Sequence, residues 1–361
     1  MLYYWLYPLS KFFPAFNVFR YITFRTAMAA VTALLLALAL GGPMVRLLKR
    51  KQIGQSVRED GPRTHYSKAG TPTMGGVLVL LAVVAATLLW MDLNNRLVWI
   101  GLGTLVGLGI VGFADDFVKF SQRRSLGLTG RGKLVPQFLV AFAAAWAIQS
   151  WATDGTFSTV LTFPFFKRLI LDLGAFYIPF VAVVLVGSSN AVNLTDGLDG
   201  LAIGAFGVAA GTYALLAYVS GNAVAARYLQ IAYVPQAGEL SVFCGALVGA
   251  SLGFLWYNSH PADVFMGDVG ALPLGGALAA VAVMTKQEML LAIVGGVFVM
   301  EALSVIFQVA SFKTTGKRIF RMAPIHHHFE LAGWPESRVA VRFWILSILF
   351  AVLALSTLKL R

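Results

Sequence analysis

The sequence predicts an all-α integral membrane protein with about ten transmembrane helices in one domain, residues 1–361, and three observations carry this prediction. The chain has 361 residues, of which 58% are hydrophobic and only 12% are charged. Its mean hydropathy is +0.77. A typical soluble domain carries about 25% charged residues, so this chain has too little polar surface to be water-soluble. Composition therefore argues against a soluble enzyme, a disordered chain and a nucleic-acid-binding domain, and no nucleic acid partner is expected.

Ten apolar runs give the predicted spans, since a membrane-crossing helix needs roughly 20 apolar residues. They lie at 22–42, 73–91, 97–114, 134–152, 174–191, 198–219, 239–257, 271–284, 289–311 and 339–358. The eighth run is short and carries Pro273, which is expected to kink it. Residues 1–21 contain nine aromatic side chains and lack a signal-peptide pattern, so we expect them to lie along the membrane interface.

Basic residues divide the connecting loops into two sets. Lys and Arg number seven in loop 43–72, five in loop 115–133 and five in loop 312–338. The loops of the other side, together with both tails, hold nine. Because cytoplasmic loops carry the excess of Lys and Arg, these three loops, with loops 192–197 and 258–270, are predicted to be cytoplasmic and both termini to lie outside.

Acidic residues also gather on the predicted cytoplasmic side. They are Asp115, Asp116, Asp196, Asp199, Asp263 and Asp268. An acidic centre among basic loops suits a divalent cation flanked by groups that bind phosphate.

Two aspartate motifs are the candidate catalytic residues. Asp115 and Asp116 end the third span, where carboxylates oppose the helix dipole, so a functional role is favoured over a solvated helix end. One of them could bind Mg2+ while the other takes a proton or holds a water. Asp268 stands between glycines in Phe-Met-Gly-Asp-Val-Gly and is a candidate Mg2+ ligand, although such a motif alone is more often a plain turn.

The loop between spans five and six is rich in Asn and Asp. Asn193 and Asp196 are favoured as ligands, because their side chains accept hydrogen bonds from ribose hydroxyls and Asn amides can read a base edge. For Asp199, a binding role and a simple cap on the sixth span are equally compatible with the sequence.

Two further segments could bind an anion. His326, His327 and His328 are consecutive and cannot all point one way, so contacts to phosphate or to a substrate carboxylate are favoured over a zinc site. Lys68 and Thr73 precede the second span, where free backbone N–H groups could bind an anion, and a plain Thr cap is the alternative.

Three polar residues fall inside the apolar runs. Glu301 and Gln308 are seven residues apart on one face of the ninth span and are expected to face a cavity or a partner helix. Arg25 is expected to extend towards the outer interface.

Five motifs in one order resemble the polyprenyl-phosphate N-acetylhexosamine-1-phosphate transferase superfamily: GTPTMGG, ADD, NAVNLTDGLDGL, VFMGDVG and APIHHHFE. The resemblance runs from about residue 40 to the C-terminus and implies ten spans with both termini in the periplasm. The His run resembles the branch that uses UDP-N-acetylmuramoyl-pentapeptide rather than UDP-N-acetylglucosamine. The chain departs from the family at Ala271-Leu-Pro-Leu274, where Ser-Leu-Ala-Leu is frequent.

The resemblance implies a reaction and its partners. Undecaprenyl phosphate would attack the β-phosphate of UDP-N-acetylmuramoyl-pentapeptide, giving UMP and the first lipid intermediate of peptidoglycan synthesis. Mg2+ is the implied cofactor, and the bacterial inner membrane is the implied location, with the active site on its cytoplasmic face. Direct displacement and a phosphoryl-Asp intermediate both fit, and a homodimer is compatible with the family.

The resemblance also implies residue roles. Asp268 would bind the metal with Asp116 near it, and Asp115 would be the base on the lipid phosphate. The implied uridine pocket is Asn193, Asp196, Asn258 and Phe265. The implied positions around the nucleotide sugar are Lys68, Thr73 and Gln308. The implied contacts to the diphosphate or the muramoyl-peptide part are His326, His327 and His328.

Two alternatives remain at this level. The first is a sister transferase that uses UDP-N-acetylglucosamine, which the His run disfavours. The second is a secondary transporter, which the absence of an obvious repeat and the gathering of acids at one membrane face disfavour.

Overall fold

A computed structural model describes residues 1–51, 68, 70–122, 127–150 and 157–359, without the side chains of residues 167, 168 and 359. Its α-helices are, in chain order, α1 (Leu2–Leu6), α2 (Ile22–Arg50), α3 (Gly76–Trp90), α4 (Arg96–Ser121), α5 (Gly130–Ser150), α6 (Tyr177–Thr195), α7 (Leu201–Ser220), α8 (Ala223–Leu229), α9 (Leu240–Asn258), α10 (Asp268–Met284), α11 (Leu291–Val294), α12 (Gly296–Thr315), α13 (Ile325–Leu331) and α14 (Glu336–Ser356). Each of the ten apolar runs therefore contains helix.

Seven helical segments of the described residues are long and apolar enough to cross a membrane. They are helices α2, α4, α7, α12 and α14, together with two segments, Gly174–Thr195 and Ala237–Asn258, that consist of α6 and α9 and the short turn before each. Helices α3 and α10 are apolar but shorter. These lengths and compositions support a mostly helical, multi-pass membrane protein, while ten spans and the outside position of the termini stay predictions.

Helix α10 lies at the centre of the bundle. All of its residues are buried, as expected for a helix that is apolar on every side, and it continues through Pro273. Small residues allow its neighbours to approach: a Cβ added to Gly275 would lie 2.4 Å from the Ser188 carbonyl oxygen on α6. The Ser188 hydroxyl donates to the Gly275 carbonyl at 2.8 Å. Asp268, the first residue of α10, is thereby held within the protein rather than against lipid.

The structure is mostly helical, in agreement with the predicted all-α class, and the connection between α5 and α6 adds a small β element. Strands β1 (Val160–Phe163) and β2 (Phe166–Asp172) form a two-stranded antiparallel hairpin. Such short strands escape detection by periodicity, because segments of four to seven residues fit a strand and a helix end equally well.

The N-terminal segment is folded as α1 followed by two 3-10 helices, Tyr7–Lys11 and Pro14–Arg20. Several of its aromatic side chains are exposed, with Phe12 at 77%. Its position along a membrane interface stays a prediction.

The expectation for Arg25 is wrong. This side chain is 3% exposed and donates to the Glu239 carboxylate, with Nη1 2.7 Å from Oε2. The Glu239 carboxylate neutralises the guanidinium charge inside the bundle, so the side chain has no need to extend to the interface.

Candidate active site

Three carboxylates meet where the end of α4 faces the start of α10. Asp115, Asp116 and Asp268 are all buried, and one oxygen of each lies within 4.8 Å of the other two. Gly112 permits this approach, because a Cβ there would lie 2.2 Å from the Asp268 carbonyl oxygen. Gly267 precedes Asp268 with φ +74°, a conformation that favours glycine. The two aspartate motifs therefore form one cluster, as the sequence predicts.

Two lysines neutralise part of this cluster. Lys119 Nζ lies 2.7 Å from Asp115 Oδ2, 3.2 Å from Asp116 Oδ1 and 3.1 Å from Asp268 Oδ2. Lys133 Nζ lies 2.5 Å from Asp268 Oδ2. Sequence reasoning treated both lysines only as basic loop residues. The spacing of three and four residues from the aspartates could have identified Lys119, whereas Lys133 reaches Asp268 only through the fold.

Backbone N–H groups hold the carboxylates in place. The Leu128 N–H donates to Asp115 Oδ1 at 2.9 Å, and the Val269 N–H donates to Asp116 Oδ2 at 3.0 Å. The acidic cluster is thus oriented before any ligand binds.

The Asn- and Asp-rich loop supplies two neighbours of the cluster. With its amide oriented to satisfy both partners, Asn193 donates to Asp268 Oδ1 at 2.9 Å and accepts from Lys133 Nζ at 3.2 Å. Burial, and then the nearby Asp268 and Asp116, raise the pKa of Asp196 to about 7, although the Gly267 N–H donates to it. The residues favoured in this loop therefore lie beside the carboxylates.

The segment before α3 pairs with the segment before α10. The Gly75 N–H donates to the Phe265 carbonyl at 2.8 Å, and the Phe265 N–H donates to the Pro72 carbonyl at 2.8 Å. Thr73 lies against Gly267, since a Cβ on that glycine would be 3.1 Å from Thr73 Oγ1. These contacts bring the GTPTMGG motif to the aspartates.

Lys68 joins a second charged cluster. Its Nζ lies 2.7 Å from Asp199 Oδ1 and 2.5 Å from Glu336 Oε1, and it stands 5.8 Å from the centre of the Phe265 ring. Burial alone would raise the pKa of Asp199, but Lys68 and the Ala262 N–H hold it below its ordinary value. Asp199 does not cap α7, whose N-cap is Gly200 without a side-chain bond. The structure therefore excludes the capping alternative for Asp199.

The three histidines lie on the short helix α13 and have separate partners. His326 is 1% exposed, and its Nδ1 lies 3.1 Å from Glu301 Oε2, without the geometry of a hydrogen bond. Glu301 therefore faces helix α13, which carries His326. His327 Nδ1 lies 2.7 Å from Glu330 Oε2, and His328 Nδ1 accepts from the Arg321 N–H at 3.1 Å. The three imidazoles thus contact three different partners.

Two predicted ligands have their amides engaged with the backbone. Asn258 Oδ1 accepts from the Gly200 N–H at 3.1 Å, and its Nδ2 donates to the Val264 carbonyl at 2.9 Å. Gln308 Nε2 donates to the Phe320 carbonyl at 2.9 Å, and its Oε1 accepts from the same residue's N–H. Both side chains fix loops, and their direct contacts to substrate stay predictions. Four basic loop residues lie outside the described residues: Arg58, Arg63, Arg123 and Arg124.

The carboxylate cluster fits a hard divalent cation. Its donors are all oxygens, which Mg2+ prefers, and Mg2+ sites usually combine one or two carboxylates with phosphate oxygens and water. The Lys119 ammonium contacts all three carboxylates, which shows that their oxygens converge on one positive charge.

Comparisons with known proteins identify the family of the chain. A family model described as "Glycosyl transferase family 4" matches residues 98–286, and one described as "Phospho-N-acetylmuramoyl-pentapeptide-transferase signature 1" matches residues 68–80. The phospho-N-acetylmuramoyl-pentapeptide-transferases of Desulfatibacillum aliphaticivorans and Geobacter sp. (strain M21) are each 59% identical to this chain. That of Thermodesulfovibrio yellowstonii is 54% identical. Each alignment covers 100% of this chain and 100% of the relative.

Proposed function

The chain belongs to the phospho-N-acetylmuramoyl-pentapeptide-transferase family, and from this premise we propose that it catalyses the first lipid-linked step of peptidoglycan synthesis. Undecaprenyl phosphate attacks the β-phosphorus of UDP-N-acetylmuramoyl-pentapeptide. A new P–O bond forms, the bond from the β-phosphorus to the bridging oxygen breaks, and UMP leaves. The lipid-linked product serves cell-wall synthesis and, through it, cell shape and division.

The observation that carries the proposal is the meeting of Asp115, Asp116 and Asp268 with Lys119 and Lys133. Both substrates are polyanions, so their phosphates need cationic partners in a site that also holds a metal. In our proposal, Mg2+ is held by Asp268 and Asp116. When bound, it supplies charge neutralisation of the diphosphate during in-line displacement. The two lysines then lie where phosphate oxygens can accept from them.

The remaining roles follow the contacts of each side chain. Asp115 acts as the base towards the lipid phosphate. A phosphate monoester is already largely ionised near neutral pH, so this is a small share of the chemistry.

The nucleotide end of the substrate takes the second set of roles. The proposed uridine pocket is Asn193, Asp196, Asn258 and Phe265, with the Phe265 ring stacking on uracil. The proposed contacts around the nucleotide sugar are Lys68, Thr73 and Gln308. The proposed contacts to the diphosphate or the muramoyl-peptide part are His326, His327 and His328.

The membrane arrangement completes the proposal. A single domain of ten spans lies in the bacterial inner membrane, with both termini in the periplasm and the active site on the cytoplasmic face. The basic loops support this orientation through the positive-inside bias. A groove open to lipid admits the undecaprenyl chain, and the protein is compatible with a homodimer.

The test is UMP release by the purified full chain in detergent. The reaction contains UDP-N-acetylmuramoyl-pentapeptide, undecaprenyl phosphate and Mg2+, and is repeated without the metal and with Asp268→Asn. Asp172→Asn, an exposed aspartate on the hairpin, is the matched control. We expect UMP and a lipid-linked product from the wild-type chain and the control, and neither from Asp268→Asn or from the metal-free reaction.

Other outcomes separate the alternatives. UMP release from UDP-N-acetylglucosamine instead would assign the chain to sister-transferase activity. Uptake of a solute into vesicles, with no UMP release from either nucleotide sugar, would favour the transporter.

A further inference from the structure

The carboxylate of Glu336 lies outside all five sequence motifs but inside the Lys68 cluster. We propose that Glu336 is a positioning residue that fixes Lys68, and through it the nucleotide end of the substrate. This inference rests on the proposed function, because the role of Lys68 beside the nucleotide belongs to that proposal.

One carboxylate connects three parts of the chain. Glu336 is the first residue of α14, and its Oε1 lies 2.5 Å from Lys68 Nζ. The same oxygen accepts from the Asp199 N–H at 2.7 Å. Its other oxygen, Oε2, lies 3.6 Å from His260 Nδ1. The Glu336 side chain is only 9% exposed and that of Lys68 16%, so their contact is largely sheltered from water. Glu336 thus ties the segment after the His run to both sides of the Lys68 cluster.

These contacts limit the freedom of the Lys68 ammonium. A lysine has three N–H donors on a flexible stem, and ordering that stem costs conformational entropy. Asp199 Oδ1 at 2.7 Å and Glu336 Oε1 at 2.5 Å engage two of the donors. The direction of the third is then set by geometry, so a ligand that accepts from it pays less entropy on binding.

The net charge of the Lys68 cluster also distinguishes positioning of Lys68 from simple attraction of the substrate. Two carboxylates beside one ammonium leave the cluster without net positive charge, so Lys68 attracts a polyanion only weakly. The basic loops can supply long-range attraction. Holding Lys68 between two carboxylates is useful when the place of its N–H matters more than its charge.

A merely structural role is the competing explanation. Glu336 lies in the first turn of α14, where an acidic side chain stabilises the helix dipole, and Pro335 provides no side-chain cap. The exposed neighbour Ser337 offers a way to separate the two roles. In a Glu336→Ala background, Ser337→Asp restores an acidic residue to the first turn without restoring the contact to Lys68.

The experiment uses the full chain in detergent and compares Glu336→Ala, Glu336→Gln, Ser337→Asp and the double variant Glu336→Ala/Ser337→Asp. Binding of UDP is measured by calorimetry, and KM and kcat by UMP release. We expect Glu336→Ala to weaken UDP binding and raise KM for the nucleotide sugar about tenfold, with kcat lowered no more than about threefold. Glu336→Gln, which still accepts from the Asp199 N–H, should fall between wild type and Ala. The double variant should match Glu336→Ala, and Ser337→Asp should match wild type.

Two outcomes would overturn the positioning role. One is unchanged UDP affinity and KM in Glu336→Ala, with only kcat or the folded fraction reduced. The other is recovery of affinity in the double variant, which would assign the effect to the helix dipole. Absence of UMP release from the wild-type chain would instead count against the proposed function, and the UDP affinities would still decide the role of Glu336.

Discussion

Buried charged side chains lie near both ends of α10, and positive and negative groups are paired differently at the two ends. Before α9, Glu239 pairs with Arg25, and after α10, Glu288 pairs with Lys286 at 2.7 Å. These side chains are at most 10% exposed, and each basic group has a single carboxylate partner among the described salt bridges. We call this the closed end.

At the other end, three carboxylates share two lysines. Lys119 and Lys133 side chains are 31% and 18% exposed, and Asp268 is 12% exposed. We call this the open end. The comparison teaches that burial of charge alone does not identify a site. At the closed end each basic group is balanced by one buried carboxylate, whereas the open end has an excess of negative charge and partly exposed side chains, which suits a cation and phosphate groups.

The largest expected effect is the loss of turnover on changing the open end. We expect Asp116→Asn to lower UMP release about 1000-fold, because it removes a charge from the proposed metal site while keeping the side-chain shape. The unfolding temperature in detergent should stay close to that of wild type, since removing one of three clustered carboxylates relieves repulsion. A large fall in unfolding temperature with unchanged turnover would contradict this prediction. It would show that the open end, like the closed end, contributes to stability rather than to the reaction. Asp172→Asn is again the control.

The closed end should behave in the opposite way. We expect Glu239→Ala to lower the free energy of unfolding by roughly 3 kcal/mol, because it leaves the buried Arg25 guanidinium without its carboxylate. Turnover per folded molecule should not change. The double variant Arg25→Met/Glu239→Met should recover most of the stability, since no charge is then buried. Thermal or denaturant unfolding in detergent measures both, and failure of the double variant to recover would show that packing rather than charge dominates.

The contrast also explains what the sequence could and could not predict. The ten helical regions follow from long apolar runs, and the meeting of Asp115, Asp116 and Asp268 was expected because their motifs fall at span ends on one predicted side. Local spacing could have added Lys119. Glu336 could not be found in this way, because its contact with Lys68 spans 268 residues of chain.

The closed end shows the same limit. The Arg25 partner Glu239 is 214 residues away along the chain, so the sequence around Arg25 does not indicate a buried ion pair. Without a visible partner, an arginine near the end of an apolar run is expected to extend to the interface, and that expectation failed here. Charge pairing across the bundle depends on which helices become neighbours, and hydropathy does not encode this.

A smaller effect is expected where the His run touches the Asn- and Asp-rich loop. A Cβ added to Gly197 would lie 2.3 Å from His326 Nε2, so Gly197→Ala should displace the imidazole and lower turnover about tenfold. Gly187→Ala is the matched control, because a Cβ there meets no atom within 4 Å. Comparison of kcat and unfolding temperature for the two variants tests this. Equal activities would show that the buried position of His326 does not matter for the reaction.

The smallest effect concerns the proton on Asp196, beside the open end. Burial and the neighbouring Asp268 and Asp116 raise the pKa of Asp196 from 3.8 to about 7. The folded state therefore holds a proton that the unfolded state releases, so the stabilisation is complete below about pH 4 and is lost as the pH rises through about 7. We expect Asp196→Asn, neutral at every pH, to remove about 1.4 kcal/mol of the decline in unfolding free energy between about pH 6 and pH 8. Asp172→Asn should keep the wild-type decline, because the hydrogen bond from Thr159 lowers the pKa of Asp172, outside this window. An unchanged decline in Asp196→Asn would mean that the excess negative charge of the open end does not extend to this loop.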